Sequence, residues 1–310
     1  MKNFKSIFVL LLSLAAHAPF IEYKYSDDIN HKGLSMHFCV ETADGTLTGR
    51  NCVEGDQALF KELRTNPGVY QNYADGSIPS DVNMTWFINR SIERWKNGFC
   101  SSSFILQFNE KPIGHMVIGT GAYNGSSEIA CFIHPDFQNK KIMTLILPVF
   151  IEFISYIIPN QDGKTLLPTA YESYNLYDGQ KRALTQFEAT SSVDNYASVS
   201  LLKQLNFVPA KDLLNKDKVI ALEIVPEHLA EFYINLKKQL IEFYKTHSEF
   251  EKNVRYSIKS SSTNEIFGTV SLKADLKEAT PEKLNGPIFK FHWELSLDSA
   301  KALVAFASKK

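Results

Sequence analysis

The chain has 310 residues, of which 44% are hydrophobic and 22% charged, and its formal net charge is -1. This length predicts two domains of roughly 150 residues each, and the composition excludes a disordered chain. The balanced charge excludes a domain-wide nucleic-acid interface, because no excess of Lys and Arg is present to neutralise phosphates.

The N-terminal segment has the pattern of a cleaved export signal. Lys2 and Lys5 precede an apolar run over residues 7–16, and Ala16-His17-Ala18 has the small-x-small form of a signal-peptidase site. The apolar run is too short for a permanent membrane span. We therefore expect residues 1–18 to be a signal peptide, the mature protein to be periplasmic or secreted, and no membrane span to remain after cleavage. The alternative is a cytoplasmic protein with a buried N-terminal helix, or an uncleaved tether.

The cysteines have no zinc-binding spacing, and the sequence predicts no metal site. Cys39 and Cys52 flank a segment that contains Asp44-Gly45, a dipeptide typical of a hairpin turn. In an oxidising compartment, such a hairpin would allow the two thiols to pair. The sequence leaves open whether they do.

The hydrophobic pattern of the first half predicts mixed helices and strands. In chain order we predict a strand at 47–53, helices at 56–64 and from 79 to 98, strands at 104–108 and 113–118, and a strand at 128–133. Ser80 or Asp81 is expected to cap the second helix. The turn at 109–112 joins the strands at 104–108 and 113–118 into a hairpin. Gly114, in the second of these strands, is expected to allow close approach of a neighbouring backbone.

The pattern continues with a helix at 141–158, in which Pro148 is expected to produce a kink. A strand at 184–190, a helix at 195–205 and a strand at 218–224 follow. Residues 160–181 form a long polar segment rich in Tyr and Gly. Because connections of this length are typical of binding loops, we expect this segment to shape a ligand site.

The C-terminal part partly repeats what precedes it. Pro226 opens a helix that runs towards Phe250, residues 256–270 parallel residues 104–117, and residues 289–295 parallel residues 129–133. We interpret residues 226–310 either as a partial second copy of the preceding fold or as an unrelated α+β region.

Residues 128–143 join a strand to a polar loop and a helix. The loop is Gln138-Asn139-Lys140-Lys141-Ile142-Met143, and it leads directly into the apolar helix. The start of a helix carries unpaired N–H donors and partial positive charge, so it favours an anion. Lys140 and Lys141 add two further positive charges there.

A second polar pattern lies at the start of the helix predicted at 195–205. Asn195 and Ser198 are three residues apart and therefore share one face of that helix. Asn206 follows the helix, and Asn is the usual second choice after Gly for a left-handed C-terminal position.

Together, the two patterns resemble the two signatures of the GNAT superfamily of N-acetyltransferases, and within it the branch that acetylates the N-termini of ribosomal proteins. The resemblance implies an α+β fold over residues 36–225, with a mixed, mostly antiparallel central sheet flanked by helices. The smaller α+β region at 226–310 would be an addition to that fold. It also implies transfer of an acetyl group from acetyl-CoA, without a metal, to a primary amine of a peptide, a protein or a small molecule.

The resemblance further implies roles for individual residues. Glu128 would act as the base that takes the amine proton, and Ser198 as the proton donor. The residues implied to bind the coenzyme are Phe132, Ile133, His134, Gln138, Asn139, Lys140, Lys141, Ile142, Met143 and Asn195. His134 is a second candidate base, although His-Pro-Asp at this point is commonly a structural turn. We interpret His115 as a packing residue.

The 138–143 loop departs from the family pattern at two positions. Lys141 stands where the first motif glycine is expected, and Met143 stands where a small residue is expected. A side chain there obstructs a phosphate on the backbone and disfavours a positive φ. This departure, together with the export signal, supports an alternative function, a catalytically inactive pseudo-acetyltransferase that acts as an exported protein-binding module. Acetyl-CoA is not expected outside the cytoplasm.

Overall fold

The structure is a computed structural model. It describes residues 20–26, 33–71, 78–97, 102–121, 125–157, 185–210, 219–222, 229–246, 254–262, 266–272 and 289–307. The chain divides into two compact units. Unit 1 takes residues up to Leu63, Ser80–Phe187 and the residues from Ser296 on, and unit 2 takes Arg64–Pro79 and Glu188–Leu295. The fold class is α+β, with mostly antiparallel strands flanked by helices, as predicted.

Both units contain helices. In chain order they are α1 (Gln57–Thr65), α2 (Pro67–Tyr70), α3 (Asp81–Lys96), α4 (Ile142–Ile157), α5 (Tyr196–Gln204), α6 (Leu229–Thr246) and α7 (Leu297–Ala307). Ser80 caps α3, because its hydroxyl accepts a hydrogen bond from the Asn83 N–H at 3.2 Å. Pro148 lies inside α4, as the sequence indicates. None of these helices is long and apolar enough to cross a membrane.

The strands of unit 1 follow one another as an antiparallel meander. They are β1 (Phe20–Ser26), β2 (Gly33–Thr42), β3 (Gly45–Asn51), β4 (Ser103–Phe108), β5 (Lys111–Thr120) and β6 (Ser126–Ile133). Each strand pairs with the next one along the chain. The sequence predicted the last four of these and the β2–β3 turn, but not β1.

The β2–β3 hairpin does not bring the two predicted cysteine partners together. Cys39 lies opposite Thr48, whereas Cys52 lies four residues further along the chain. Four residues of strand span roughly 13 Å, which is too far for a disulfide. Both thiols are free. Burial raises the pKa of the Cys52 thiol to about 12, because the thiolate would lose its hydration.

The β4–β5 hairpin has a turn of two residues. Asn109 and Glu110 both have positive φ angles, 47° and 67°, which is the conformation of a type I′ turn. The predicted turn at 109–112 is thus shorter in the structure, because Lys111 and Pro112 already pair with β4. The Asn109 side chain accepts a hydrogen bond from the Thr46 N–H at 2.8 Å and so ties the turn to β3.

The core of unit 1 has two layers of side chains, one on each face of its sheet. Phe60 of α1 and Ile88 of α3 pack with Ile105 in one cluster. The neighbouring residue Phe104 points to the opposite face, where its ring lies 4.8 Å from that of Phe150 in α4. Helix α7 packs against α4. Leu297 and Ala300 of α7 are buried, so this helix belongs to the core of unit 1.

Unit 2 contains a second, mixed set of strands. They are β7 (Gln186–Ser192), β8 (Val208–Pro209), β9 (Val219–Leu222), β10 (Arg255–Ser260), β11 (Ile266–Leu272) and β12 (Phe289–Ser296). Strand β7 belongs to unit 2 from Glu188 on. Their order is β7-β12-β11-β10-β9, with β8 paired to β12. Strands β9 and β10 are parallel, and the pairs β10–β11, β11–β12 and β8–β12 are antiparallel.

The repeat suggested by the sequence recurs in the strand register. In β4–β5, Gly114 pairs with Leu106, and the register then shifts by one residue. In β10–β11, Gly268 pairs with Ile258, and the register shifts at the same point. Among the α-helices and strands that the structure describes, helix–strand–strand–strand–helix is the order from α3 to α4 and again from α6 to α7. These correspondences support a partial second copy, and the domain boundaries remain a prediction.

Candidate functional site

Strand β6 ends against the backbone of β5. Gly114 lies opposite Ile133, and a Cβ added to Gly114 would lie 2.2 Å from the carbonyl oxygen of Phe132. Only glycine permits this approach, as the sequence predicted. The end of β6 and the turn that follows it are thus held in a fixed position.

The side chains of Phe132 and Ile133 belong to the core. Both are buried, and the Phe132 ring stacks on His115 with centroids 4.3 Å apart and planes 8° apart. His115 also contacts Phe60 at 4.5 Å, which confirms its predicted packing role. A ligand at this strand would therefore meet backbone groups and not these side chains.

His134 closes the 3-10 turn Pro135–Phe137. Its Nδ1 accepts a hydrogen bond from the Asp136 N–H at 3.3 Å, and its Nε2 lies 3.2 Å from Oε1 of Glu62. With both ring nitrogens engaged, His134 would have to give up its cap to accept a proton. The geometry therefore favours the structural turn over the candidate base.

The 138–143 loop keeps the backbone conformation of a glycine-containing turn. Asn139 and Lys141 have φ angles of 60° and 59°. Lys141 thus adopts the left-handed conformation at the position where the motif glycine is expected, although this costs a residue with a Cβ about 1–2 kcal/mol. Gln138 holds the loop, because its Nε2 donates to the Ile133 carbonyl at 3.1 Å. Successive backbone N–H groups in a turn with left-handed residues are a known source of anion-binding concavities.

Positive charge surrounds the loop. Lys140 and Lys141 are exposed, and the Lys140 ammonium lies 4.8 Å from the centre of the Phe137 ring. Lys111 lies 5.7 Å from the same ring. Met143, in the first turn of α4, is half-buried. The start of α4 therefore combines helix N–H donors with Lys140 and Lys141, and Met143 is a partly accessible apolar side chain in that first turn.

Glu128 lies near the start of β6 and is half-buried. It pairs with Gly119 of β5. A Cβ added to Gly119 would have only the Glu128 carbonyl oxygen within 4 Å, at 3.9 Å. Because residues that pair directly lie on the same face, Gly119 leaves open space beside the Glu128 side chain.

Asn195 and Ser198 lie together at the start of α5 in unit 2. Asn195 is the N-cap, and its Oδ1 accepts a hydrogen bond from the Ser198 N–H at 3.2 Å. Both side chains are partly exposed. The two residues that were predicted to share one face of the helix therefore contact each other directly. At the other end of α5, Asn206 has φ of 63° and the Phe207 N–H donates to the Leu202 carbonyl at 2.9 Å, which makes a Schellman cap.

Lys237 is a residue of this region that sequence reasoning missed. Its ammonium lies 2.6 Å from Oδ2 of Asp194, the residue before the cap. Lys237 comes from α6, 43 residues further along the chain. No local pattern in the sequence indicates such a pair.

The predicted site residues fall into two groups. Glu128, Phe132, Ile133, His134 and residues 138–143 lie in unit 1, and Asn195 and Ser198 lie in unit 2. The predicted binding loop at 160–181 lies outside the described residues. Within the residues that the structure describes, no group of three or more His, Cys, Asp or Glu side chains is arranged to hold a metal ion.

A further depression lies along the exposed side of α3. It has a volume of about 430 Å³ and is lined by Trp86, Asn89, Arg90, Glu93, Arg94 and Asn97. The Arg90 guanidinium lies 4.9 Å from the centre of the Trp86 ring. None of these residues was predicted to take part in the site.

Comparison with known proteins finds similar chains among solved structures. No family model matches the chain, and no curated protein matches it. RimJ from Mycobacterium smegmatis in complex with CoA-disulfide is 12% identical, with 85% of this chain and 90% of that chain covered and a TM-score of 0.43. Spermidine N-acetyltransferase from Vibrio cholerae, in complex with CoA and spermine, is 12% identical, with 82% and 98% covered and a TM-score of 0.43.

A third similar structure covers less of the chain. It is the Salmonella typhimurium acetyl transferase that modifies the N-terminal serine of ribosomal protein L7/L12, at 15% identity, with 53% of this chain and 82% of that chain covered and a TM-score of 0.39. These three structures are acetyltransferases, and a further similar structure, from Bacillus anthracis, is described as an acetyltransferase of the GNAT family.

Proposed function

We propose that this chain transfers an acetyl group from acetyl-CoA to a primary amine of a peptide, a protein or a small molecule. The observation that supports this most directly is the left-handed backbone of Asn139 and Lys141 in front of α4. A lysine in that conformation is costly. Glu110 has a similar φ in the β4–β5 turn, but Asn139 and Lys141 directly precede a helix N-terminus, where backbone N–H groups can bind a diphosphate.

In the proposed reaction, the 138–143 loop and the first turn of α4 bind the pyrophosphate, and Lys140 and Lys141 add attraction. Glu128 takes a proton from the amine. The amine nitrogen then attacks the carbonyl carbon of the thioester, and the carbon–sulfur bond breaks. The Ser198 hydroxyl donates its proton to the departing sulfur, and the nitrogen, which carries an extra proton after the attack, returns a proton to the Ser198 oxygen. The transfer is direct, with no covalent enzyme intermediate.

Isothermal titration with acetyl-CoA tests the binding step. We expect saturable binding by the parent and about tenfold weaker binding by Lys141→Glu, since a reversed charge next to the phosphates repels them. Lys238→Glu is the matched control, because Lys238 is an exposed lysine of α6, and we expect it to bind as the parent does. Absence of binding at millimolar acetyl-CoA would contradict the proposal.

An acetyl-transfer assay tests the chemical step. Spermidine and a peptide with an N-terminal serine serve as acceptors and cover the two kinds of amine named for the similar structures. We expect Glu128→Gln to lower kcat at least about a hundredfold, because a general base contributes 10²–10⁴-fold. Its affinity for acetyl-CoA should stay that of the parent.

The second candidate function is the catalytically inactive binding module, and the half-buried Met143 in the first turn of α4 favours it. Substitution by glycine separates the two candidates. If the parent does not bind acetyl-CoA but a Lys141→Gly, Met143→Gly variant does, the side chains obstruct the loop and the second candidate holds. Export of the chain after loss of residues 1–18 remains part of this proposal, and the intact mass of protein from a secreting host tests it.

A further inference from the structure

We propose that Lys237 of α6 is a positioning residue that fixes the start of α5, and through it Ser198, for acetyl transfer. This inference rests on the proposed function. It assigns a part in the reaction to the C-terminal region, which lies outside the segment that resembles the acetyltransferase family.

The turn that connects β7 to α5 is fixed by its backbone. Val193 is fully buried, and its N–H donates to the Phe289 carbonyl at 3.2 Å. The Asn195 N–H donates to the Ser192 carbonyl at 3.1 Å and closes the turn. Asp194 therefore has a defined place between a buried residue and the N-cap of α5.

Both oxygens of the Asp194 carboxylate are bound by side chains. Oδ1 accepts a short hydrogen bond from the Ser192 hydroxyl, and Oδ2 lies 2.6 Å from the Lys237 ammonium. The side chains of Lys237 and Asp194 are only 13% and 27% exposed, so solvent screens this pair weakly. Leu236 and Leu240 are fully buried on the same helix and hold Lys237 in place.

The pair matters because Asp194 precedes a helix N-terminus. A carboxylate without a cation is attracted to the N–H groups of the first helical turn. There it would compete with Asn195, whose Oδ1 already accepts from the Ser198 N–H at 3.2 Å. Lys237 therefore keeps the carboxylate occupied, leaves the cap to Asn195, and keeps Ser198 in its present position. It also neutralises a negative charge four residues before the group that protonates the departing thiolate.

The variant Lys237→Met of the full chain tests the proposal, in the spermidine and peptide assays. We expect kcat to fall about tenfold, while the Kd for acetyl-CoA stays within twofold of the parent value. Lys237→Arg should keep kcat within threefold of the parent value, because arginine keeps the positive charge. Adding Asp194→Asn to Lys237→Met should also restore most of kcat, because it removes the uncompensated carboxylate. Lys238→Met is the matched control and should behave as the parent.

A purely structural ion pair would give different results. A parental kcat in Lys237→Met, measured well below its unfolding temperature, would overturn the proposal. So would a loss of kcat that neither Lys237→Arg nor Asp194→Asn restores. If the parent transfers no acetyl group, the proposed function fails, and hydrogen exchange of the amides at 198–202 tests the positioning by itself. We expect exchange at least fivefold faster in Lys237→Met than in Lys238→Met, and equal rates would overturn the inference.

Discussion

Residues that adopt the left-handed conformation carry much of the local specificity of this chain. In the part of the chain that the structure describes, the residues other than glycine with this conformation are Asn109, Glu110, Asn139, Lys141 and Asn206. Asn adopts this conformation more readily than other residues with a Cβ, because its side chain bonds to the local backbone. The sequence therefore indicated Asn206. At Lys141 it indicated only that the motif expects a glycine, because lysine has no preference for this conformation and the surrounding turn imposes it.

Asn206 allows a test of how strongly the C-terminus of α5 depends on this conformation. At φ of 63°, Asn206→Gly should leave the free energy of unfolding unchanged or raise it by up to about 1 kcal/mol, whereas Asn206→Ala should lower it by about 1 kcal/mol. Urea denaturation measures both. Asn97, which ends α3 with φ of -92°, is the control, and Asn97→Gly should destabilise. If Gly and Ala have equal effects at position 206, the left-handed cap is not the determining feature.

Many helices and strands of this chain follow its hydrophobic pattern closely, because burial of apolar side chains determines where they form. The predicted strand at 104–108 is β4 (Ser103–Phe108), and the predicted helix at 141–158 is α4 (Ile142–Ile157). Strand β1 was missed, although Ile21, Tyr23 and Tyr25 alternate with polar residues, which is the pattern of a strand. Among the strands that the structure describes, it lies at the end of the order and pairs with β2 alone.

Strand β5 lies very close to β6, and substitution of two glycines in β5 tests how much this close contact contributes to stability. Gly114→Ala would bring a methyl group to 2.2 Å from the Phe132 carbonyl oxygen. We expect a loss of about 2–3 kcal/mol of stability, because backbone has to move. Gly119→Ala on the same strand has no contact closer than 3.9 Å and should change stability by less than about 1 kcal/mol. Thermal unfolding of the two variants gives the comparison, and similar melting temperatures would contradict the argument.

At the scale of the whole molecule, the two units do not follow the order of the sequence. Unit 1 is completed by the residues from Ser296 on, and unit 2 includes Arg64–Pro79. The sequence suggested consecutive domains at 36–225 and 226–310, because pattern and motif spacing report local order only. Contacts such as that of Lys237 with Asp194, or of α7 with α4, join distant segments and have no local signature.

This arrangement predicts the behaviour of a fragment that ends at residue 225. The fragment 36–225 lacks α7, which packs on α4 in unit 1. It also lacks β12, which is next to β7 in the sheet order of unit 2. Each unit would then expose core side chains, among them Val193, whose N–H would lose the Phe289 carbonyl. Because both cores lose a layer, we expect the fragment to show no cooperative urea transition and poorly dispersed amide resonances.

Residues 19–310 serve as the control and should unfold cooperatively, because that chain keeps every element that the structure describes. A cooperative transition of the fragment 36–225, with a denaturant slope in proportion to its length, would show that the N-terminal segment folds by itself. The domain boundary read from the sequence would then be correct, and α7 and β12 would be additions to a complete fold. Failure of both chains to unfold cooperatively would instead contradict the two compact units, since the longer chain retains every described element of each unit.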